Sequence, residues 1–477
     1  MNPTFTSLFI PTSFAKFSAL TVLALSIGAS ACGAKQQPAE QTSAPVVLPD
    51  RCAQEACINH QVDSFDVDGI HVIVKHADTL PLVVANIYFE GGALHWDANT
   101  AGHESLALDV ATQGGPASMD RHAYHSALES VAATIHGSSG LDYSVVSLFS
   151  PAFALNETFG LMSQTLLSPA LESQQLQNSR SQQLASIQTR YDSADNAVHE
   201  VARSIAWTEH PYAIHPQGEL ESVQTARPED LRAALSKLLV REKMTVVFVG
   251  QIDNNEARTL VKTHLKDVAS DKAWREALDY PTAFQPFEFS QGAVEVMERT
   301  EIPTNYIAGY FSAPAPGDAD YAPMVLATQI LRDRLFEEVR TCRNLSYAVY
   351  SAIATRRANT GVLYVTATKP AETLEVMYNT IDEVVNGAIT QEDVENEIRT
   401  YLTRYYMALQ SFDAQASLLA RWELLTGERV NADRFIDELR AVTPEQVSDV
   451  LNRYLRNIQF GVLGHPEQID RTQFSAR

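Results

Sequence analysis

The chain has 477 residues, 45% of them hydrophobic and 20% charged, which is enough for two or more globular domains of about 100–200 residues each. Its formal net charge of −22 argues against nucleic acid, whose phosphates call for clustered Lys and Arg, and against adhesion to an anionic membrane through a basic face. Peptides and small ligands remain as candidate partners.

In chain order, Lys16 is followed by the apolar run FSALTVLALSIGA, and Ser30-Ala31 stand directly before Cys32. This resembles a bacterial lipoprotein signal. Residues 1–31 are expected to be a signal peptide and Cys32 the acylated first residue of the mature chain, with ordinary secretory cleavage or an uncleaved anchor as alternatives. The expected location is the bacterial cell envelope, lipid-anchored at the periplasmic face of the outer membrane. Residues 32–64 read as a flexible tether, whose stretch GAKQQPAEQTSAPVVLPD would span on the order of 25 Å. Cys52 and Cys57 are close enough to close a small disulfide ring, for which chain entropy suggests about 2 kcal/mol. Cys342 is left over as a small structural residue.

From residue 65 the chain alternates between strands and amphipathic helices. DGIHVIV and LPLVVANIYFEGG read as a hairpin on the Asp68-Gly69 turn signal, followed by helices near 100–112 and 119–130. Strands near 131–136 and 143–149 lead into helices across 154–207. A helix started by Pro228 and a strand ending at Gly250 close the first half. TPEQVSDVLNRYLRNIQFGVLG closes the second in the same way. The openings also align, with Tyr88-Phe89 falling on Tyr310-Phe311 without a gap. Two copies of one fold are therefore expected. The first spans residues 65–266 and the second 294–477, with a polar linker at 267–293. Periodicity does not decide whether VHEVARSIAW and the helical stretch 391–440 are interface or core.

TAGHESLALDVATQGG, residues 100–115, has the look of a metalloprotease helix. The helical zinc motif H-x-x-E-H needs two imidazoles on one face and a Glu beside them. The positions sharing that face here are Ser105, Leu108 and Asp109, and His103-Glu104 are adjacent residues that diverge by about 100° on a helix. The best remaining ligand spacing is His122, His125 and Glu129, which reads more simply as a solvated helix face.

The order of these pieces resembles the insulinase and pitrilysin peptidases, or inverzincins, across residues 65–465. FEGGALHWDANTAGHESLALDVATQGG follows that family's strand, glycine turn and zinc helix, and HPYAIHPQGELESVQTARPEDLRAALSKLLVREKMTVVFVGQID follows its run to the closing strand. The resemblance implies an α+β fold of two homologous domains, each a mainly antiparallel sheet packed with helices, together forming half of a peptidase clamshell. It puts Ser105 and Asp109 on the two zinc-ligand positions and Leu108 on the catalytic Glu. The third-ligand stretch QQLASIQTR offers Ala185 and Ser186. No metal is expected in this chain.

RDRLFEEVRTCRNLSYAVYS, residues 332–351, resembles the family's substrate-positioning segment, and so implies that Arg340 holds peptide carbonyls and Tyr347 donates to the oxyanion on the scissile carbonyl. The plainer alternatives are an Arg complementing its helix end and a Tyr packed within a strand. The resemblance as a whole implies a non-catalytic, substrate-gripping subunit, inactive alone, whose homologous partner carries the zinc. The rival expectations are a non-enzymatic scaffold and a stand-alone metalloendopeptidase with an unorthodox metal site.

Overall fold

Asp68 and Gly69 sit at φ 51° and 92°, the left-handed pair that a two-residue hairpin turn requires. They close β1 (Val62–Val67) onto β2 (Ile70–His76), with Val67 opposite Ile70. The computed structural model describes residues 57–208, 210–273 and 288–475. The signal segment, Cys32, Cys52 and residues 274–287 of the expected linker lie outside the described residues. Two expectations change here. The turn joins β2 to the strand before it rather than to the strand after it, and the last residues of the expected tether, Val62–Ser64, are strand. The reason is long-range pairing. Ile58 is buried in the core of the second half, and the Asn59 side-chain amide donates to Asp433 at 2.8 Å.

The first sheet adds β3 (Leu82–Glu90), β4 (Thr134–Ser139), β5 (Tyr143–Pro151) and β6 (Met244–Gly250), in the order β1-β2-β6-β3-β5-β4. Its helices are α1 (His103–Gly114), α2 (Arg121–Ser130), α3 (Leu155–Leu167), α4 (Ser173–Asp192), α5 (Ala194–Ala206), α6 (Leu220–Thr225), α7 (Pro228–Leu238) and α8 (Asn254–His264). The second sheet consists of β7 (Ala293–Glu298), β8 (Asn305–Ser312), β9 (Val349–Ile353), β10 (Thr360–Ala367) and β11 (Gln459–Gly464), in the order β7-β11-β8-β10-β9. Its helices are α9 (Tyr321–Leu335), α10 (Pro370–Val385), α11 (Gln391–Ala408), α12 (Phe412–Thr426), α13 (Asn431–Arg440) and α14 (Pro444–Tyr454).

Strand for strand, β2-β6-β3-β5-β4 repeats as β7-β11-β8-β10-β9. The single parallel pairing of each sheet falls in the same place, β2 on β6 and β7 on β11, with all other pairings antiparallel. The aligned pairs Tyr88-Phe89 and Tyr310-Phe311 sit on the matching strands β3 and β8. The fold is α+β with two similar halves, as the sequence led one to expect.

The two halves exchange helices. α5 belongs in sequence to the first half but packs across β11, β8 and β7, whereas α12, its counterpart in the second half, packs on β6 and β3. The amphipathic spacing of α5 explains its tolerance of this position, because Ala197, Val198, Val201 and Ala202 form one buried face. Small residues bring its backbone close to the sheet. A Cβ at Gly461 of β11 would lie 2.4 Å from the Ala202 nitrogen and 2.7 Å from the Val198 oxygen. His199 then hydrogen-bonds with the Tyr310 and Tyr350 hydroxyls at 3.2 and 3.3 Å, and Tyr364 donates to Asp195. In return, His71 of β2 stands 3.3 Å from Glu423 of α12.

Two consequences can be measured. Gly461→Ala forces α5 off the second sheet and is expected to destabilise the protein by about 1–3 kcal/mol in chemical denaturation. The hydrogen bond and charge of Glu423 raise the His71 pKa above 6.5, and those of His71 draw the Glu423 carboxyl below 4.5 despite its burial. The His71 contribution is therefore full below about pH 6.5 and lost as pH rises through the raised value, while the Glu423 contribution is lost as pH falls through the lowered one. Between pH 6 and pH 9, wild type should lose more thermal stability than His71→Phe does. Equal losses in the two proteins would show that the pair contributes nothing.

Candidate functional site

The segment expected to position substrate begins where α9 runs without a break into a π-helical turn, Phe336–Cys342. Such turns widen a helix and re-aim the side chains that follow. Asn344, in the left-handed region at φ 49°, then reverses the chain before β9. Arg340 and Tyr347 meet as a result. The Arg340 guanidinium carbon lies 4.3 Å from the centre of the Tyr347 ring and 4.7 Å from that of Phe336, so the cation is held between two aromatic faces. Tyr347 is 74% exposed and Phe336 41%. Of the plainer alternatives, the helix-end position fits Arg340, which stands in the last turn, while the strand does not include Tyr347. Tyr347 lies ahead of β9 and does not pack within it, and Arg340 turns its charge onto the two rings. The geometry places a half-buried guanidinium and an exposed phenol side by side.

At the positions matching the zinc helix, α1 presents Ser105 and Asp109 half-buried and Leu108 fully buried. Leu108 packs beneath β4, so closely that a Cβ at Gly137 would come within 2.9 Å of its Cβ. Burial raises the Asp109 carboxyl above its ordinary value, against the pull of a hydrogen bond with Ser179 of α4 and of the His136 charge. Thus the α4 side chain meeting Asp109 is Ser179. Ala185 and Ser186 lie further along the helix, and Ser186 exchanges hydrogen bonds with Gln217. One hydroxyl, one isobutyl group and one carboxyl disfavoured as an anion do not fit zinc, which takes three or four converging deprotonated ligands. Among the described residues, no group of three or more His, Cys, Asp or Glu is placed to hold a metal ion.

His103 and Glu104 have become structural. The His103 Nε2 lies 3.0 Å from the Ser222 carbonyl, and the fully buried Glu104 accepts from Trp96 at 3.1 Å, from Ser139 at 3.0 Å and from Ser144. This carboxylate ties the start of α1 to β4 and β5. His125 turns to the Gln113 carbonyl at 3.0 Å, while His122 and Glu129 stay exposed and form no ligand cluster with it. Cys57 is disulfide-bonded, but its expected partner Cys52 lies outside the described residues. Cys342, expected to be an unpaired structural residue, is also disulfide-bonded. Spacing along the chain missed this because Cys342 is remote in sequence from every other cysteine.

Sequence reasoning also missed an interdomain cavity of about 450 Å³ at the end of β4. Ser138 and Ser139 line it from the first half, Glu200 and Arg203 from α5, His215 from the loop that follows α5, and Tyr310 and Arg356 from the second half. No motif announces it, because its walls come from four separate stretches of chain. Beside it β4 is the edge strand of its sheet, with no strand paired to its outer side among the described residues.

Comparison with known proteins agrees with this fold. Residues 225–401 match the family model described as Peptidase M16 inactive domain. An uncharacterized zinc protease of Mycobacterium leprae is 25% identical over 291 residues, covering 59% of this chain and 64% of that protein. The non-peptidase homolog YmxG of Helicobacter pylori is 20% identical over 355 residues, covering 72% of this chain and 79% of its own. An uncharacterized zinc protease of Bacillus subtilis is matched over 62% of its length, so the chain spans a little under two thirds of several curated relatives. Among solved structures, a protease from Helicobacter pylori superposes with a TM-score of 0.75 at 14% identity, covering 84% of this chain and 98% of that one. A peptidase M16 inactive domain from Pseudomonas fluorescens does so with 0.73 at 19% identity, covering 84% and 97%. At such identities the superpositions establish the fold.

The raised Asp109 carboxyl has a measurable sign. Its contribution to stability is greatest below about pH 3.8 and is lost as pH rises through the raised folded value. Asp109→Asn, which carries no charge to bury, is expected to melt at or above the wild-type temperature at pH 8. A substantially lower melting temperature for the variant would mean that the carboxylate is held by a partner that favours its charge.

Proposed function

We propose, for a chain with the fold of the M16 insulinase/pitrilysin peptidases and a match to their inactive-domain model, that it is the non-catalytic, substrate-gripping subunit of a two-chain peptidase. The observation that carries this reading is the contrast between two sites. At one, the position of a catalytic Glu is a leucine buried under β4. At the other, the half-buried Arg340 is stacked on an exposed Tyr347. A stacked guanidinium with an exposed edge holds peptide carbonyls through fixed donors, and an adjacent phenol donates to an oxyanion; neither group needs a metal in its own chain.

In this reading the partner is a homologous chain with an intact H-x-x-E-H helix, whose bound zinc supplies the activated water. Peptide lies extended between the two chains. The free edge of β4 suits an added strand, since main-chain hydrogen bonds hold a peptide there whatever its sequence. Cys32 would anchor the complex to a bacterial envelope membrane, with residues 33–50 as the tether. The Helicobacter pylori relative is known as a non-peptidase homolog, which is in keeping with a chain that performs no hydrolysis alone.

The test is peptide cleavage by the purified chain, by a zinc-bearing homologue, and by the two mixed. The mixture alone should be fully active. Tyr347→Phe should lower its kcat by about 100-fold or more, the effect of removing one oxyanion donor, and Arg340→Ala should lower kcat/KM. Full activity of the mixture with both variants would leave the chain as a scaffold. Chelator-sensitive cleavage by the chain alone would make it a peptidase in its own right.

A further inference from the structure

The interdomain cavity holds a positive charge with which no described carboxylate pairs within hydrogen-bond or ion-pair reach. Arg356 follows β9 and is half-buried, and it makes no hydrogen bond or ion pair with any described residue. The other charges in and near the cavity are already paired. Glu200 receives Arg203 and also lies 3.7 Å from Arg190, and Arg190 in turn pairs with Glu219 at 3.3 Å. Asp142 also lines the cavity; it is buried, accepts from the Tyr212 hydroxyl and feels the charges of Arg357 and Arg356, but burial pushes its pKa up, which weakens it as a counter-ion to Arg356.

His215 adds a donor to the same space. Its Nδ1 accepts from the Gln217 backbone at 3.1 Å, which leaves the proton on Nε2. Burial, reinforced by Arg190, Arg203 and Arg356, drives the His215 pKa down to about 3, so the ring is neutral. A guanidinium with no hydrogen-bonded or ion-paired carboxylate among the described residues and a neutral imidazole N–H together favour an oxyanion. A peptide amine is disfavoured, because Glu200 is already committed to two guanidiniums.

Position selects the kind of oxyanion. Ser138 and Ser139 are the last residues of β4, so the cavity opens where a strand added to that edge would pass. Antiparallel addition, the better-bonded geometry, runs the peptide with its amino-terminal side toward Ser139 and its carboxyl terminus away from the cavity. The carboxylate within reach is then a side chain.

We propose that this cavity is a specificity pocket for an Asp or Glu side chain of a peptide lying along β4, with Arg356 receiving the carboxylate. The proposal rests on the peptide-holding role above and adds a sequence preference to it, independent of Arg340 and Tyr347.

The experiment uses the whole chain and fluorescent nonapeptides built on one neutral sequence, with Glu or Gln placed at each interior position in turn, and reads binding by anisotropy. At one position the Glu peptide should bind at least about ten-fold more tightly than its Gln twin, in keeping with one charge-assisted hydrogen bond. That preference should vanish in Arg356→Ala and survive in part in Arg356→Lys, with thermal melting used to establish that both variants fold. Because the Glu and Gln peptides are first compared on wild type, the result does not depend on a variant. Equal binding of all the peptides overturns the pocket while leaving the peptide-holding role intact. Glutarate is the probe for a free carboxylate, read through the fluorescence of Trp207 in the cavity wall. Binding of glutarate but of no peptide overturns the proposal in favour of a small-anion site and counts against peptide holding as well, and binding of neither overturns it outright.

Discussion

The exchange of α5 and α12 between the two halves is the constraint on which the remaining architecture depends. Each sheet buries one face beneath a helix supplied by the opposite half, so neither half can complete its core alone. Gly461 marks the closest point of that exchange, where no side chain fits between β11 and the α5 backbone. The polar contacts around it, His199 between two tyrosine hydroxyls and His71 beside Glu423, align the halves after the apolar faces have met. Apolar burial supplies most of the free energy, while the buried polar groups set the register because each must find its partner.

That rigidity gives both candidate sites their meaning. Arg340 and Tyr347 sit on the segment between α9 and β9, where the guanidinium lies over the Phe336 and Tyr347 rings. The cavity at the end of β4 exists only because α5 crosses from one half to the other, carrying Glu200 and Arg203 toward Arg356. Meanwhile the helix matching a zinc site has been absorbed into the core. Leu108 fills the space under β4, and Glu104, one position before Ser105, has become a buried tie to two strands. Restoring metal ligands there would require repacking as well as new side chains, because the surrounding interior is already filled.

The stretches most readable in the sequence were those whose signal is local. The Asp68-Gly69 turn and the alignment of Tyr88-Phe89 with Tyr310-Phe311 both follow from spacing within short windows. The turn's partner strand was misassigned because two flanking strands satisfy the same signal, and only the pairing of β2 with β6 decides between them. Cys342 was misread for a similar reason, since separation along the chain carries no information about bonding across the fold. VHEVARSIAW had an amphipathic face in view from the start, yet its destination on the other half's sheet could not be read from its period.

The sequence by itself determined the duplicated α+β plan, because hydrophobic periodicity and the matching of strand and helix segments are properties of contiguous residues. Tertiary structure alone decided that the halves interlock through α5 and α12, that the Arg340 guanidinium lies over Phe336 and Tyr347, and that Arg356 joins Ser138, Ser139 and His215 around one cavity. Those outcomes depend on which distant surfaces exclude water together. That choice is made by the packing of the whole chain and is written in no single stretch of it.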